Sequence, residues 1–307
     1  MRLVFAGTPD AAVPTLRRLA ASDHDVVAVV TRADAPLGRK RVLTPSPVAQ
    51  AAAELGIPVI KADRLDADAT EAVRAVEPDL GVIVAYGGLV REPLLSLPAH
   101  GWINLHFSLL PRWRGAAPVQ RAIIAGDAET GAAVFQLVPE LDAGDVFSVL
   151  RTPVPGDATA GELLADLAVR GAEVVADVVD GIAAGTAVAQ PQVGEPTFAA
   201  KLTLEDGRIP WTDPREAVLA RIRGVTPEPG AHTALDGARL KVHAAAPAPD
   251  GSAALAPGEL ALVGKTVQAG TGSEPIVLEL VQPAGKGLMH APDWWRGLRA
   301  GGRVVAS

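Results

Sequence analysis

The first half of the chain alternates between two hydrophobic periods. Residues 3–6 form a short continuous apolar run, and residues 11–21 repeat apolar positions at helical spacing, with Asp10 placed as N-cap and Pro14 inside the first turn. The same alternation continues with a valine-rich strand over 25–31, a helix over 47–55 stopped by Gly56, and a strand over 57–60. A helix over 70–76 and strands over 80–85 and 102–106 follow. Strands alternating with helices predict a mostly parallel, Rossmann-like sheet covered on both faces. The unbroken apolar stretch Gly81-Val82-Ile83-Val84-Ala85 fits a strand buried on both sides. Two more strands are expected over 132–138 and 146–154, then a long Ala/Val/Leu helix over 159–184. Proline and glycine punctuate 185–198. Past residue 207 the pattern changes to short β-like runs at 240–243, 258–263, 266–269 and 276–281, as in a small all-β barrel or sandwich. The expected organisation is an α/β domain over 1–188, a linker over 189–206 and a small all-β domain over 207–307.

Composition narrows the class. A chain of 307 residues fits about two domains, and 49% hydrophobic with 21% charged residues is ordinary for a globular protein. The absence of cysteine removes disulfides, thiolate nucleophiles and thiolate-bound metal from consideration. No apolar run reaches the roughly 18–20 residues a membrane helix needs. The apolar start is broken by Thr8-Pro9-Asp10 too early for a signal peptide, so a cytoplasmic protein is expected. The six histidines make no pair at helical metal-ligand spacing, so no metal site is expected. Net charge is −7, and the stretch from Gly230 to Ser307 carries seven basic against six acidic side chains. Any nucleic-acid contact must therefore come from local patches. Nothing in the sequence demands more than a monomer.

Three segments carry candidate chemistry. The turn Ala6-Gly7-Thr8-Pro9-Asp10 lacks the Gly-x-Gly-x-x-Gly of dinucleotide-binding enzymes, which weakens a dehydrogenase reading of the layout. The densest segment runs from Gly101 to Pro118. Asn104 and His106, two apart on a strand, share a face at its C-terminal end, where open α/β sheets bind ligands. An amide donor beside an imidazole suits stabilisation of charge on a carbonyl oxygen, whereas a lone turn histidine is more often structural. Leu141-Asp142-Ala143-Gly144-Asp145 reads by itself as a solvated turn; beside Asn-x-His, one aspartate gains the role of orienting the imidazole and favouring its protonated form. Arg39-Lys40-Arg41, between a glycine and Pro45-Ser46-Pro47, is either a solvated loop or a basic finger that meets phosphates.

At these residues the chain resembles the methionyl-tRNA formyltransferase family of folate-dependent formyltransferases. The likeness rests on Phe5-Ala6-Gly7-Thr8-Pro9-Asp10, Pro45-Ser46-Pro47-Val48, Ala85-Tyr86-Gly87, and Asn104-Leu105-His106 with Ser108-Leu109-Leu110-Pro111. Arg112-Trp113-Arg114-Gly115-Ala116-Ala117-Pro118, Leu141-Asp142-Ala143-Gly144-Asp145, Thr197-Phe198-Ala199-Ala200-Lys201-Leu202 and Leu280-Val281-Gln282-Pro283-Ala284-Gly285-Lys286 extend it nearly end to end. The resemblance implies transfer of a formyl group from 10-formyltetrahydrofolate to the amino group of methionyl-initiator tRNA, without a metal. It implies a catalytic trio of Asn104, His106 and Asp142, with protonated His106 as a charged donor. It implies a folate site at Ser108, Leu109, Leu110, Pro111, Tyr86 and Gly87, and tRNA contacts at Arg39, Lys40 and Arg41. The C-terminal domain is expected to be an OB-like barrel that binds tRNA. The alternative acceptor is a small amine such as a ribotide or an amino-sugar nucleotide.

Overall fold

Leu80-Gly81-Val82-Ile83-Val84 is buried at every position, and this strand lies at the centre of a seven-stranded sheet. The computed structural model describes residues 1–38, 41–298 and 303–306. In chain order the first part holds β1 (Arg2–Gly7), α1 (Val13–Ala20), β2 (Asp25–Thr31), the hairpin β3 (Ala35–Leu37) and β4 (Val42–Thr44), α2 (Pro47–Glu54) and β5 (Val59–Lys61). It continues through α3 (Ala67–Ala75), β6 (Leu80–Val84), β7 (Trp102–His106), β8 (Arg114–Gly115) and α4 (Pro118–Ile124). Then come β9 (Glu129–Gln136), β10 (Val146–Pro153), α5 (Ala160–Ala183) and β11 (Phe198–Ala199). The sheet order is β10-β9-β7-β6-β1-β2-β5. Its five strands from β7 to β5 are parallel, while β9 and β10 add antiparallel neighbours at one edge. The mostly parallel α/β architecture read from the alternation is present.

Local chemistry explains most boundaries. Ser46 caps α2 by accepting from the Ala49 amide, with Pro47 in the first turn, and Asp66 caps α3 through the Ala69 amide. Asp10 does not act as the expected cap. The chain makes a 3-10 turn over Asp10–Ala12, and α1 starts from Ala12 without a side-chain cap. Both faces of the sheet are covered. Trp102 joins Val4, Ile83 and Tyr86 in a buried cluster with Val73 of α3, while Leu105 faces Gly171 of α5. Gly81 is required where it stands, because a Cβ there would lie 2.1 Å from the Trp102 ring.

Contacts divide the chain into two units. The first comprises 1–118, 129–153 and 164–199; the second comprises 119–128, 154–163 and 200–307. Residues 190–199 belong to the first unit and are bound into it: Gln190 and Val146 exchange backbone hydrogen bonds, and β11 pairs with β8. The second unit contains α6 (Arg215–Gly224), β12 (His232–Leu235), β13 (Ala238–Pro247), β14 (Glu259–Val263), β15 (Thr266–Ala269), β16 (Ile276–Pro283), β17 (Met289–His290), α7 (Ala291–Gly297) and β18 (Arg303–Val305). Its strands are antiparallel in the order β12-β13-β16-β15-β14-β18, with β17 on β16. Among the described residues no pairing joins β12 to β18, so the observed form is an open antiparallel sheet rather than a closed barrel. Trp211, Leu219, Ile222, Val242, Leu278, Trp294 and Trp295 form its core. No helix among the described residues is long and apolar enough to cross a membrane.

Candidate active site

Strand β7 presents Asn104 and His106 on one face, as the two-residue period requires. Asn104 is paired between Ile83 of β6 and Phe135 of β9, which fixes its depth in the sheet. It alone among the five residues of β7 is not fully buried. Its Oδ1 is nevertheless enclosed and has no hydrogen-bond partner. A buried acceptor left unpaired costs about 1–3 kcal/mol, so this amide is held at some expense to the fold.

His106 lies 6% exposed beyond Asn104, edge-on to the Phe135 ring. Its Nε2 stands 2.8 Å from the Trp113 carbonyl oxygen. That oxygen can only accept, so Nε2 carries the proton. Nδ1 faces the Asp142 carboxylate, with Oδ2 at 3.7 Å. Burial pushes the imidazole below its ordinary pKa; the Asp142 charge and the Trp113 carbonyl oppose this without reversing it. Burial disfavours the imidazolium and the Asp142 carboxylate facing Nδ1 favours it, while the Trp113 carbonyl fixes the proton on Nε2.

Asp142 reaches His106 from the turn between β9 and β10. Its backbone adopts a left-handed φ of 47°, and its Oδ2 accepts the Gly115 amide at 2.7 Å. Trp113, which supplies the carbonyl to His106, is also left-handed at φ 61°. Two loops thus meet over the end of β7, each holding a non-glycine residue in a backbone region that side chains disfavour. Gly144 permits the turn, since a Cβ there would fall 1.8 Å from the Gln136 carbonyl oxygen.

The structure brings the expected trio together and distributes the other candidates differently. Ser108 is fully buried, and its hydroxyl donates to the Arg112 carbonyl at 2.6 Å. Tyr86 is also buried, with its hydroxyl donating to the Ala62 carbonyl at 2.6 Å and burial raising its pKa. Both hydroxyls are engaged with backbone carbonyls and brace the chain at these two positions. Leu109 and Leu110 are half-buried, Pro111 is buried, and Gly87 is exposed with a left-handed φ of 81°. Arg32 donates to the carbonyls of both Tyr86 and Gly87, fixing that turn. Arg41 is exposed at the end of the β3–β4 hairpin, where its amide closes a turn onto the Gly38 carbonyl. Arg39 and Lys40 lie outside the described residues. No group of three or more potential metal ligands stands together among the described residues.

Sequence reasoning missed Arg32, Thr197 and Gln192. Thr197 accepts the Trp113 amide through its hydroxyl at 2.9 Å. Gln192 bonds both site loops. The last two lie in a stretch whose proline and glycine content resembles a linker; Thr197 stands in a family motif that gives it no site role, and no local signal marks Gln192.

Comparison with known proteins places the chain. Residues 1–179 match the family model described as formyl transferase, and residues 201–299 match the formyl transferase C-terminal domain. A methionyl-tRNA formyltransferase of Leifsonia xyli subsp. xyli is 64% identical over 307 residues, covering 100% of both chains. That of Clavibacter sepedonicus is 64% identical over 298 residues, 97% of each chain. Among solved structures, an N-formyltransferase from Helicobacter canadensis, in complex with folinic acid and dTDP-3-aminofucose, superposes with a TM-score of 0.69 at 15% identity, covering 92% of this chain and 98% of that one. HypX from Aquifex aeolicus has a TM-score of 0.67 at 18% identity over 97% of this chain and 47% of that longer one. These two distant likenesses support the fold. The near relatives and both family models show that the chain belongs to the methionyl-tRNA formyltransferase family.

Proposed function

We propose that this chain, like the family it belongs to, moves a formyl group from 10-formyltetrahydrofolate to the α-amino group of methionyl-initiator tRNA, and that Asn104, His106 and Asp142 carry the reaction. The carrying observation is Asn104, whose Oδ1 is enclosed without a partner, beside a buried His106 that faces Asp142. An unpaired acceptor there fits a substrate that brings an N–H, such as the attacking amine, while the NH2 of the same amide can serve the formyl oxygen. The turns at residues 86–87 and 109–111 would hold the folate through backbone and apolar contact. The folate supplies the formyl carbon and leaves as a secondary amine.

Asn104 donates from its NH2 to the formyl oxygen as negative charge gathers there. Loss of one such donor typically costs about 2.7–4 kcal/mol of transition-state stabilisation. His106 accepts at Nδ1 the proton released from the attacking amine, and Asp142 stabilises the resulting imidazolium. The same proton then passes to the leaving nitrogen, so the ring ends as it began. A neutral imidazole in the resting site is the form this role needs. Placement of both substrates makes the attack effectively unimolecular, and no covalent enzyme intermediate is needed.

The basic run Arg39-Lys40-Arg41 meets tRNA phosphates, each residue contributing charge. We assign further RNA contact to the second unit, read as an OB-like module; its antiparallel strands and matched C-terminal family model support that reading. The enzyme would act as a cytoplasmic monomer. Variants Asn104→Ala and His106→Ala should lose turnover while retaining tRNA affinity. An equal loss of tRNA affinity would contradict these roles.

A further inference from the structure

We propose that Gln192 is a positioning residue for the formyl-transfer site: its single amide clamps the loop that carries Asp142 to the loop that supports His106. The inference rests on the reading of the trio given above and deepens it. Gln192 Nε2 donates to the Asp142 carbonyl at 2.8 Å and to the Gly144 carbonyl at 2.9 Å. Its Oε1 accepts from Arg114, at 2.6 Å from Nη2 and 3.2 Å from Nε. Both amide hydrogens are used, and the oxygen accepts two bonds from one guanidinium.

These bonds close a ring. From Asp142 the path runs through its carboxylate to the Gly115 amide. It continues along the chain to Arg114, through the guanidinium to Gln192, and back to the carbonyl of Asp142. The ring holds Asp142 by its backbone and its carboxylate together. Asp142 needs such a hold because it occupies a left-handed conformation, at φ 47°, that a non-glycine residue does not adopt without support. The same ring contains the peptide segment next to Trp113, whose carbonyl fixes the His106 ring. Gln192 meets Asp142 only at its backbone carbonyl and bonds no reacting side chain, so it acts through position alone.

Two substitutions separate placement from packing. Gln192→Ala removes every bond. Gln192→Glu keeps acceptors for Arg114 but sets a carboxylate against two carbonyl oxygens, so only the grip on the Asp142 loop is lost. In both, kcat should fall by about 10²-fold, the scale for a misplacement near 1 Å, with KM for methionyl-tRNA within about twofold, a range that RT ln 2 puts well below one hydrogen bond. The second readout is the His106 titration, followed by NMR of the ring in the protein without substrates. The charged group facing that ring is Asp142; the Trp113 carbonyl and the Phe135 ring fill its other sides. Weakening the Asp142 contact should lower the His106 titration below that of the unsubstituted protein. Unchanged kcat in either variant, or lost kcat with an unmoved titration, would overturn the proposal. The titration needs no acceptor. If unsubstituted protein fails to formylate methionyl-initiator tRNA, the functional reading falls, while the titration still decides whether Gln192 places Asp142.

Discussion

Asn104→Leu should separate stability from activity. Leucine keeps the branching of asparagine but has neither donor nor acceptor. In the native protein Oδ1 is enclosed without a partner, so its removal relieves a desolvation cost of about 1–3 kcal/mol. Two methyl groups are bulkier than the amide, and repacking offsets part of that gain, at roughly 1–3 kcal/mol for extra volume in a packed site. The expected net change is therefore small, or a gain of about 1 kcal/mol. For a unit of this size that is a Tm shift of about 2–4 °C upward at most. Turnover should move the other way, falling about 10²–10³-fold as the donor to the formyl oxygen is lost. Thermal unfolding and single-turnover formyl transfer on the same preparation read both effects. A Tm lowered by more than about 5 °C, equivalent to a lost hydrogen bond and more, would show that Oδ1 is satisfied in solution. Activity within tenfold of the unsubstituted enzyme would refute the catalytic role.

Gly144→Ala places a Cβ 1.8 Å from the Gln136 carbonyl oxygen. It should destabilise by roughly 1–3 kcal/mol and reduce turnover by moving Asp142, as measured by denaturant unfolding and kcat. Arg41→Ala should weaken tRNA binding and reduce its salt slope by about 1, leaving folate binding unchanged in equilibrium titrations. Burial lowers the His106 pKa below its unfolded value. As pH falls below about 6.5, the usual histidine value, the unfolded chain takes up a proton that the folded site resists, and stability declines. His106→Asn should remove this contribution, flattening the difference in Tm between pH 7 and pH 5.

The sequence made the α/β layering readable because burial on both faces leaves continuous apolar runs such as Leu80–Val84. Asn104 and His106 were legible because a strand places alternate residues on one face. Asp142 was legible only through its motif: its position depends on a left-handed turn and a bond to Gly115, 27 residues away. Gln192 left no trace, since one side chain bonding two loops from an irregular segment creates no period. Ser108 and Tyr86 stand in the right motifs, yet their hydroxyls are committed to Arg112 and Ala62. Such commitments arise from tertiary burial, as does the lowered pKa of His106. The second unit's short β-like runs were apparent, but whether their edges pair is decided by strand order, which spacing does not encode.

The most direct test offers the protein 10-formyltetrahydrofolate with methionyl-initiator tRNA, methionyl-elongator tRNA and free small amines side by side, and measures formyl transfer to each. The account predicts strong preference for the initiator tRNA. Transfer confined to a small amine would preserve the chemistry of the trio and contradict the assigned acceptor; no transfer to any of them would contradict the account as a whole.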